Sequence, residues 1–281
     1  MRSEAAEEDP VAVLECTAAL NDWEAAGEVP EPGKFVRVAR PELCCDPVWE
    51  AAYRRFESPE AEVRKFRQRL RWLGARDWPR SARIVELFCG RGNGLVACER
   101  LGFQRLEGVD LSESLLREYR GSATCYLADC RALPFPAASR DIVTVHGGLH
   151  HLSRLPEDLD RVLSEARRVL VADGLLAFVE PWRTPFLTLV HALAAQPLAC
   201  RAWGKLSALE TMIRREAGTY QRWLDQPERI LSLVSRHFST VRAQVAWGKL
   251  LFLGRKRLLE CGCPATVKAL AMDFPEGPTG R

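Results

Sequence analysis

Long apolar runs are missing from this chain. None reaches the ~18 residues that a bilayer-crossing helix needs, so no membrane span is expected. The opening stretch MRSEAAEEDP is acidic and has no apolar segment, so a secretory signal is not expected and a cytoplasmic location is. An excess of one charge is missing too. Forty Lys and Arg residues oppose 37 Asp and Glu, leaving a net charge of +3. That balance is too even to point by itself to nucleic acid or a membrane surface. Metal-binding spacings are likewise absent among the ten cysteines: Cys44-Cys45 and Cys261-Gly262-Cys263 do not match a zinc ribbon or finger. Without a secretory signal a disulfide framework is not expected either, so the thiols read as reduced and mostly structural.

What is present fits a globular chain. The 281 residues suffice for one full-sized core with additions, and 47% hydrophobic residues against 27% charged is ordinary for such a protein. Asp46-Pro47 reads as a helix start, and Ser58 caps a second helix over 59–74, with Val63, Phe66, Leu70 and Leu73 at helical spacing and Gly74 as the stop. From residue 82 the pattern changes. Short apolar runs at 82–88, 105–112, 123–130, 140–148 and 175–181 alternate with helical stretches at 95–102, 113–121 and 156–174. Alternating strands and helices imply right-handed crossovers and a parallel sheet covered on both faces. Residues 182–236 carry no strand pattern and read as helices at 187–203 and 208–224. Two strand-like runs, 239–247 and 249–256, then flank Gly248 as a tight hairpin. The expected organisation is an N-terminal extension (1–45), a helical cap (46–80), a cofactor-binding core (81–181), a helical lid (182–236), two final core strands (237–257) and a flexible tail (258–281).

The stretch ELFCGRGNG (86–94) places Gly90, Gly92 and Gly94 where the first apolar run ends. In a doubly wound sheet, ligands bind beyond the carboxyl ends of the strands. A glycine loop there lets backbone amides approach a ligand, and the next helix offers its positive N-terminus. Asp110 ends the second strand 20 residues after Gly90, where a carboxylate accepts ribose hydroxyls, and Asp129 ends the third, beside an adenine edge. Two cofactors fit, a nicotinamide dinucleotide and S-adenosylmethionine. The dinucleotide fingerprint is G-x-G-x-x-G, whereas this loop is G-x-G-x-G. Glu86 would repel a pyrophosphate but suits a cationic amino group.

IVELFCGRGNG, LEGVDLSESLL, LADCRALPFPAASRDIVTVHGGLHHL and EARRVLVADGLLAFVEP occur in that order over roughly three-fifths of the chain, about Arg83 to Lys256. Together they resemble a class I S-adenosylmethionine-dependent methyltransferase of the small-molecule type. Val171-Ala172-Asp173 stands where that family usually has Lys-Pro-Gly, with Gly174 kept. The resemblance implies an α/β, Rossmann-like doubly wound sheet of about seven strands, mostly parallel with an antiparallel last strand. It implies S-adenosylmethionine as cofactor, with Glu86 near the methionine amino end, Gly90, Gly92 and Gly94 under the methionine part, Asp110 on the ribose and Asp129 beside the adenine. Leu111, Cys130 and His146 join these as expected cofactor contacts.

Methyl transfer needs a nucleophile aligned behind the methyl group, and a hydroxyl nucleophile benefits from a general base. His146, at the fourth strand end, is the candidate base or substrate-orienting group, with packing as the competing role. Glu180, at the fifth strand end, is a second candidate on the substrate side, with capping the competing role. His150 and His151 read as structural, and no metal is expected. The lid carries Trp182, Phe186, His191, Trp203, Tyr220 and Trp223, which serve as helical core or enclose an apolar substrate. A small-molecule partner is expected. Nucleic acid is not, since 146–149 reads HGGL where amino-methylating DNA enzymes carry an Asn/Asp-Pro-Pro-aromatic motif. The oligomeric state is left open. A catalytically silent cofactor-binding or scaffold protein, and an NAD-dependent oxidoreductase, are the alternative functions.

Overall fold

The computed structural model describes residues 34–38 and 46–257. The expected flexible tail, and the expected extension apart from 34–38, lie outside the described residues. Eight strands form one sheet: β1 (Phe35–Arg37), β2 (Arg83–Leu87), β3 (Arg105–Asp110), β4 (Thr124–Leu127), β5 (Arg140–His146), β6 (Leu170–Pro181), β7 (Phe238–Ala246) and β8 (Lys249–Lys256). Their spatial order is β1-β4-β3-β2-β5-β6-β8-β7. The first six pair in parallel, and β8 runs antiparallel to both β6 and β7. From β2 the chain builds outward through β3 and β4 on one side and through β5 and β6 on the other. The strand order therefore reverses at β2, where such sheets bind ligands.

The sheet has eight strands where about seven were expected. The extra one, β1, pairs with β4 from Phe35–Cys125 to Arg37–Leu127. At three residues it is too short to show a period. The hairpin turn is Trp247-Gly248, with both residues at positive φ (50° and 72°), the backbone that a two-residue hairpin requires.

Both faces of the parallel part of the sheet are buried, as a parallel sheet demands. Along β2 the residues alternate: Val85 and Leu87 pack with Val145, Phe178 and Trp223, while Ile84 packs with Leu70, Leu106 and Ile142 on the other face. Helices α1 (Pro47–Phe56) and α2 (Pro59–Trp72) begin as expected, with Asp46 and Ser58 accepting hydrogen bonds from first-turn amides and a proline opening each. α3 (Asn93–Glu99), α4 (Glu113–Leu116) and α5 (Glu157–Val169) are the crossovers.

The helix expected to run to Gly174 ends at Val169, and β6 begins at Leu170. Residues 171–174 make an irregularity in β6, since Arg140 pairs with Leu170 and Ile142 with Leu175. After β6 come α6 (Pro185–Ala194), α7 (Pro197–Ala202), α8 (Gly204–Arg215), α9 (Ala217–Asp225) and α10 (Pro227–His237). Two helices were expected over most of this stretch. Pro197 divides the first because proline cannot continue a helix through its own amide. The second breaks at Glu216, whose φ of −111° lies outside the helical range.

Candidate active site

The carboxyl ends of the parallel strands, α1 and α2 on one side, and α6, α8 and α9 on the other surround a cavity of about 1270 Å³. Of the expected cofactor contacts, Gly90, Asp110, Leu111, Asp129, Cys130 and His146 line it. Glu86, Gly92 and Gly94 do not; they shape the wall from behind.

The three glycines are needed for three different reasons. Gly90 and Gly92 have left-handed backbones, at φ 53° and 76°. A Cβ on Gly92 would fall 2.3 Å from the Tyr119 ring, whereas one on Gly90 would meet nothing closer than 3.9 Å. Gly94 is helical, and a Cβ there would lie 1.8 Å from Glu86 Oε1. The sequence pairing of Glu86 with Gly94 is therefore steric: the carboxylate occupies the space that a side chain would take.

Glu86 is buried, and Oε1 lies 2.9 Å from His146 Nδ1. Burial raises its pKa, with the His146 hydrogen bond opposing. The other ends of this pair, Glu86 Oε2 and His146 Nε2, are buried and have no hydrogen-bond partner among the described residues. Phe66 stacks on the imidazole at 4.4 Å between ring centres and fixes its plane.

Asp110 accepts two backbone hydrogen bonds, from Gly90 (2.7 Å) and Ser112 (2.8 Å). Burial pushes its pKa up, against the pull of those amides. Each carboxylate oxygen can accept more than one hydrogen bond, so acceptor capacity remains for a ligand. Asp129 is clasped by Arg131, whose amide donates to Oδ1 at 2.8 Å and whose Nη2 donates to Oδ2 at 2.7 Å.

Of the two roles expected for Glu180, its contacts are those of the capping one. It is fully buried, it does not line the cavity, and it sits beneath the turn that follows β5. Oε1 accepts from the amides of Gly148 and Leu149, both at 2.8 Å, and Oε2 lies 2.7 Å from His150 Nδ1. Burial alone would raise its pKa, but the His150 contact and the two amides outweigh it and hold the carboxyl below its ordinary value. Its register opposite Leu250 on the antiparallel β8 places it inside the sheet rather than at a free strand end. It acts as a cap and an orienting group.

Several site residues gave no signal in the sequence. Phe88 has a left-handed backbone (φ 55°), and its ring fills the space that a Cβ on Gly148 would need, 2.3 Å away. Strained backbone of this kind gathers at functional sites. Glu62 on α2 accepts from Arg91 (3.0 Å) and Asn93 (2.6 Å), and Arg91 lies over the Tyr53 ring at 4.5 Å. These contacts tie the helical cap to the glycine loop. Glu216 reaches the cavity from the break between α8 and α9, beside His150 and His151.

This topology, with its glycine loop and acidic strand ends, defines a Rossmann-like fold. Comparisons with known proteins narrow it. Residues 85–178 match the family model described as "Methyltransferase domain". A demethylmenaquinone methyltransferase of Bacteroides fragilis is 31% identical over 111 residues, covering 36% of this chain and 44% of the relative. A ubiquinone/menaquinone biosynthesis C-methyltransferase of Geotalea uraniireducens is 30% identical over 122 residues, covering 40% and 50%. The chain thus spans about half the length of the curated relatives it matches. The crystal structure of the PH0226 protein of Pyrococcus horikoshii shares the fold, with a TM-score of 0.57 at 18% identity over 76% of this chain and 100% of that one. Residues 85–178 thus resemble a methyltransferase domain, for which S-adenosylmethionine is the expected cofactor.

The residues present fit that cofactor. The open left-handed cradle at Gly90 and the remaining acceptor capacity of Asp110 suit a ribose. The Glu86–His146 pair behind the glycine loop supplies negative charge that suits a cationic amino-acid end. No helix among the described residues is long and apolar enough to cross a membrane.

Proposed function

We propose that this protein transfers a methyl group from S-adenosylmethionine to a small-molecule acceptor. One observation carries the reading: three successive strand ends (Gly90, Asp110 and Asp129-Cys130) line the same cavity as the aromatic and apolar side chains of the cap and lid. When bound, the cofactor supplies an electrophilic methyl group on a positively charged sulfur. The protein's own contribution is then alignment and proton removal.

Asp110 holds the ribose hydroxyls, Leu111 and Cys130 wall the nucleoside, and the Asp129-Arg131 pair stands at the adenine side. Glu86 fixes the imidazole of His146 through Nδ1, which leaves Nε2 to accept a proton from the acceptor or to orient it. Glu180 works at one remove by holding the turn at 148–150. Residues 46–80 and 182–236 act as cap and lid around the acceptor, and 81–181 with 237–257 form the cofactor-binding core. Phe66, Phe186, Leu187 and Leu206 give the acceptor side an apolar lining, as small-molecule pockets commonly have beside a few polar groups. The names of the curated relatives, which refer to quinone biosynthesis, support a small-molecule acceptor.

The test is incubation of the purified protein with methyl-labelled cofactor and an extract of its host. The proposal expects label in a small organic product, reduced at least tenfold by His146→Ala. Label found only in protein or nucleic acid, or no transfer at all, would contradict it.

A further inference from the structure

Outside the Glu86–His146 pair, the same cavity holds a second cluster of donor groups that the methyl-transfer reading leaves unused: His150, His151 and Glu216. One ligand atom from each lies within 4.8 Å of the others. Two of the three follow β5, and the third comes from the break in the lid helices.

His150 is held by Glu180, whose Oε2 is 2.7 Å from Nδ1. With Nδ1–H donating to that carboxylate, Nε2 carries a lone pair. It faces Glu216 Oε1 at 3.9 Å. At that distance the two atoms are beyond hydrogen-bond range of each other. On the other side, His151 Nδ1 is 2.8 Å from Glu216 Oε2, so the imidazole and the carboxylate pair by charge and stand as near neighbours. With metal–ligand bonds of roughly 2.0–2.2 Å, neighbouring donors fall about 2.9–3.4 Å apart. The 2.8 Å separation lies about 0.1 Å below that range, and the 3.9 Å separation needs a contraction of about half an ångström.

The surroundings agree. A metal-bound histidine commonly gives its other nitrogen to a carboxylate, which fixes its tautomer, and Glu180 does this for His150. Trp49 packs edge-on against His151 at 5.2 Å, and Tyr220 against His150 at 5.5 Å, so the imidazoles have little freedom to turn away. All three donors line the cavity, so coordination positions remain open on that side.

We propose that His150 Nε2, His151 Nδ1 and the Glu216 carboxylate bind one divalent first-row transition-metal ion. Two imidazoles with one carboxylate select such an ion over Mg²⁺ or Ca²⁺, which take oxygen ligands. The open positions face the acceptor space. Resting on the proposed methyl transfer, the acceptor is then a molecule with two adjacent oxygens, such as a catechol or an α-hydroxy ketone, which chelates the ion and loses a proton more readily when bound. Glu216 belongs to the lid, so metal binding also ties the lid to the core.

The test uses the full chain freed of metal with a chelator. Calorimetric titration with Zn²⁺ is expected to show one site, weakened at least tenfold by His151→Ala and by the near-isosteric Glu216→Gln, and 10- to 100-fold by Glu180→Gln, which removes the supporting carboxylate. Glu60→Gln on the surface should leave it unchanged. Co²⁺ should give a visible absorption band that catechol shifts. If His151→Ala fails to fold, Glu216→Gln carries the comparison. Absence of Zn²⁺ binding, or binding that Glu216→Gln does not weaken, overturns the site. A Co²⁺ band that catechol leaves unmoved overturns the acceptor class. Binding of S-adenosylmethionine, measured separately on the metal-free protein, is expected to survive, so failure of the metal site and failure of the methyltransferase reading remain distinguishable.

Discussion

The two halves of the cavity are built differently. The cofactor half comes from one continuous stretch, 86–131, and its shape is set by backbone: left-handed glycines, strand ends and amides bonded to Asp110. The acceptor half is assembled from α1 and α2, α6, α8 and α9, and the 247–249 turn, segments far apart in the chain. Its surface is large apolar side chains, several of them also open to solvent: Phe186, Leu193, Trp203 and Trp247 are each more than 40% exposed. A site made by backbone leaves marks at fixed spacing. A site made by side chains from separate segments leaves only composition.

The lid nevertheless rests on one deep anchor. Trp223 is fully buried, it meets Trp182 edge-on at 6.4 Å, and its Nε1 donates to the Pro181 carbonyl at 2.9 Å. Trp223→Ala should cost about 3–5 kcal/mol in chemical denaturation, the largest effect expected of any substitution considered. If it costs under 1 kcal/mol, the lid is not part of the folded core.

Within the glycine loop, Gly94→Ala and Gly90→Ala separate steric need from backbone need. The Gly94 change drives a Cβ into Glu86 and should cost about 3 kcal/mol, at the upper end for overpacking. The Gly90 change meets no atom closer than 3.9 Å and should cost only the ~1–2 kcal/mol of a left-handed backbone. Equal losses in denaturation melts would refute the distinct roles given to the two glycines.

Lys249 offers a pH test of the acceptor half. Burial, with Arg69 adding, lowers its pKa to about 8 from the ordinary 10.5. Between those values the unfolded chain binds more protons than the folded one, so this residue makes stability rise with pH across that window. Lys249→Met should therefore stabilise the protein most below pH 8, and its advantage should shrink as pH approaches 10.5. An advantage that stays constant from pH 7 to 10 would contradict the assignment.

At the small end, Leu198 is 79% exposed. Leu198→Ser should change stability by no more than about 0.5 kcal/mol. A larger loss would mean that the lid surface is covered in solution.

The same contrast explains what was legible. The alternation of strands and helices from 82 to 181 gave the parallel sheet, and the spacing of Glu86, Gly90, Asp110 and Asp129 placed one side of the cavity. Glu180 reads identically in sequence whether it faces a ligand or caps a turn, because the register against β8 decides it. The break at Glu216 carries no proline or glycine at the position itself, so nothing marked that residue as reaching the site. Residues 171–174 resemble a helix end because Gly174 is a common stop, yet the helix closes earlier and the glycine lies in an irregular strand. Strand β1 is held by its partner β4 rather than by any pattern of its own.

The central claim is that the strand-end half of the cavity is an S-adenosylmethionine site. Calorimetric titration of the full chain tests it most directly. The account predicts saturable one-to-one binding of S-adenosylmethionine or its demethylated product, weakened at least tenfold in Asp110→Asn, with no comparable binding of NAD. Absence of binding, or a preference for NAD, would contradict it.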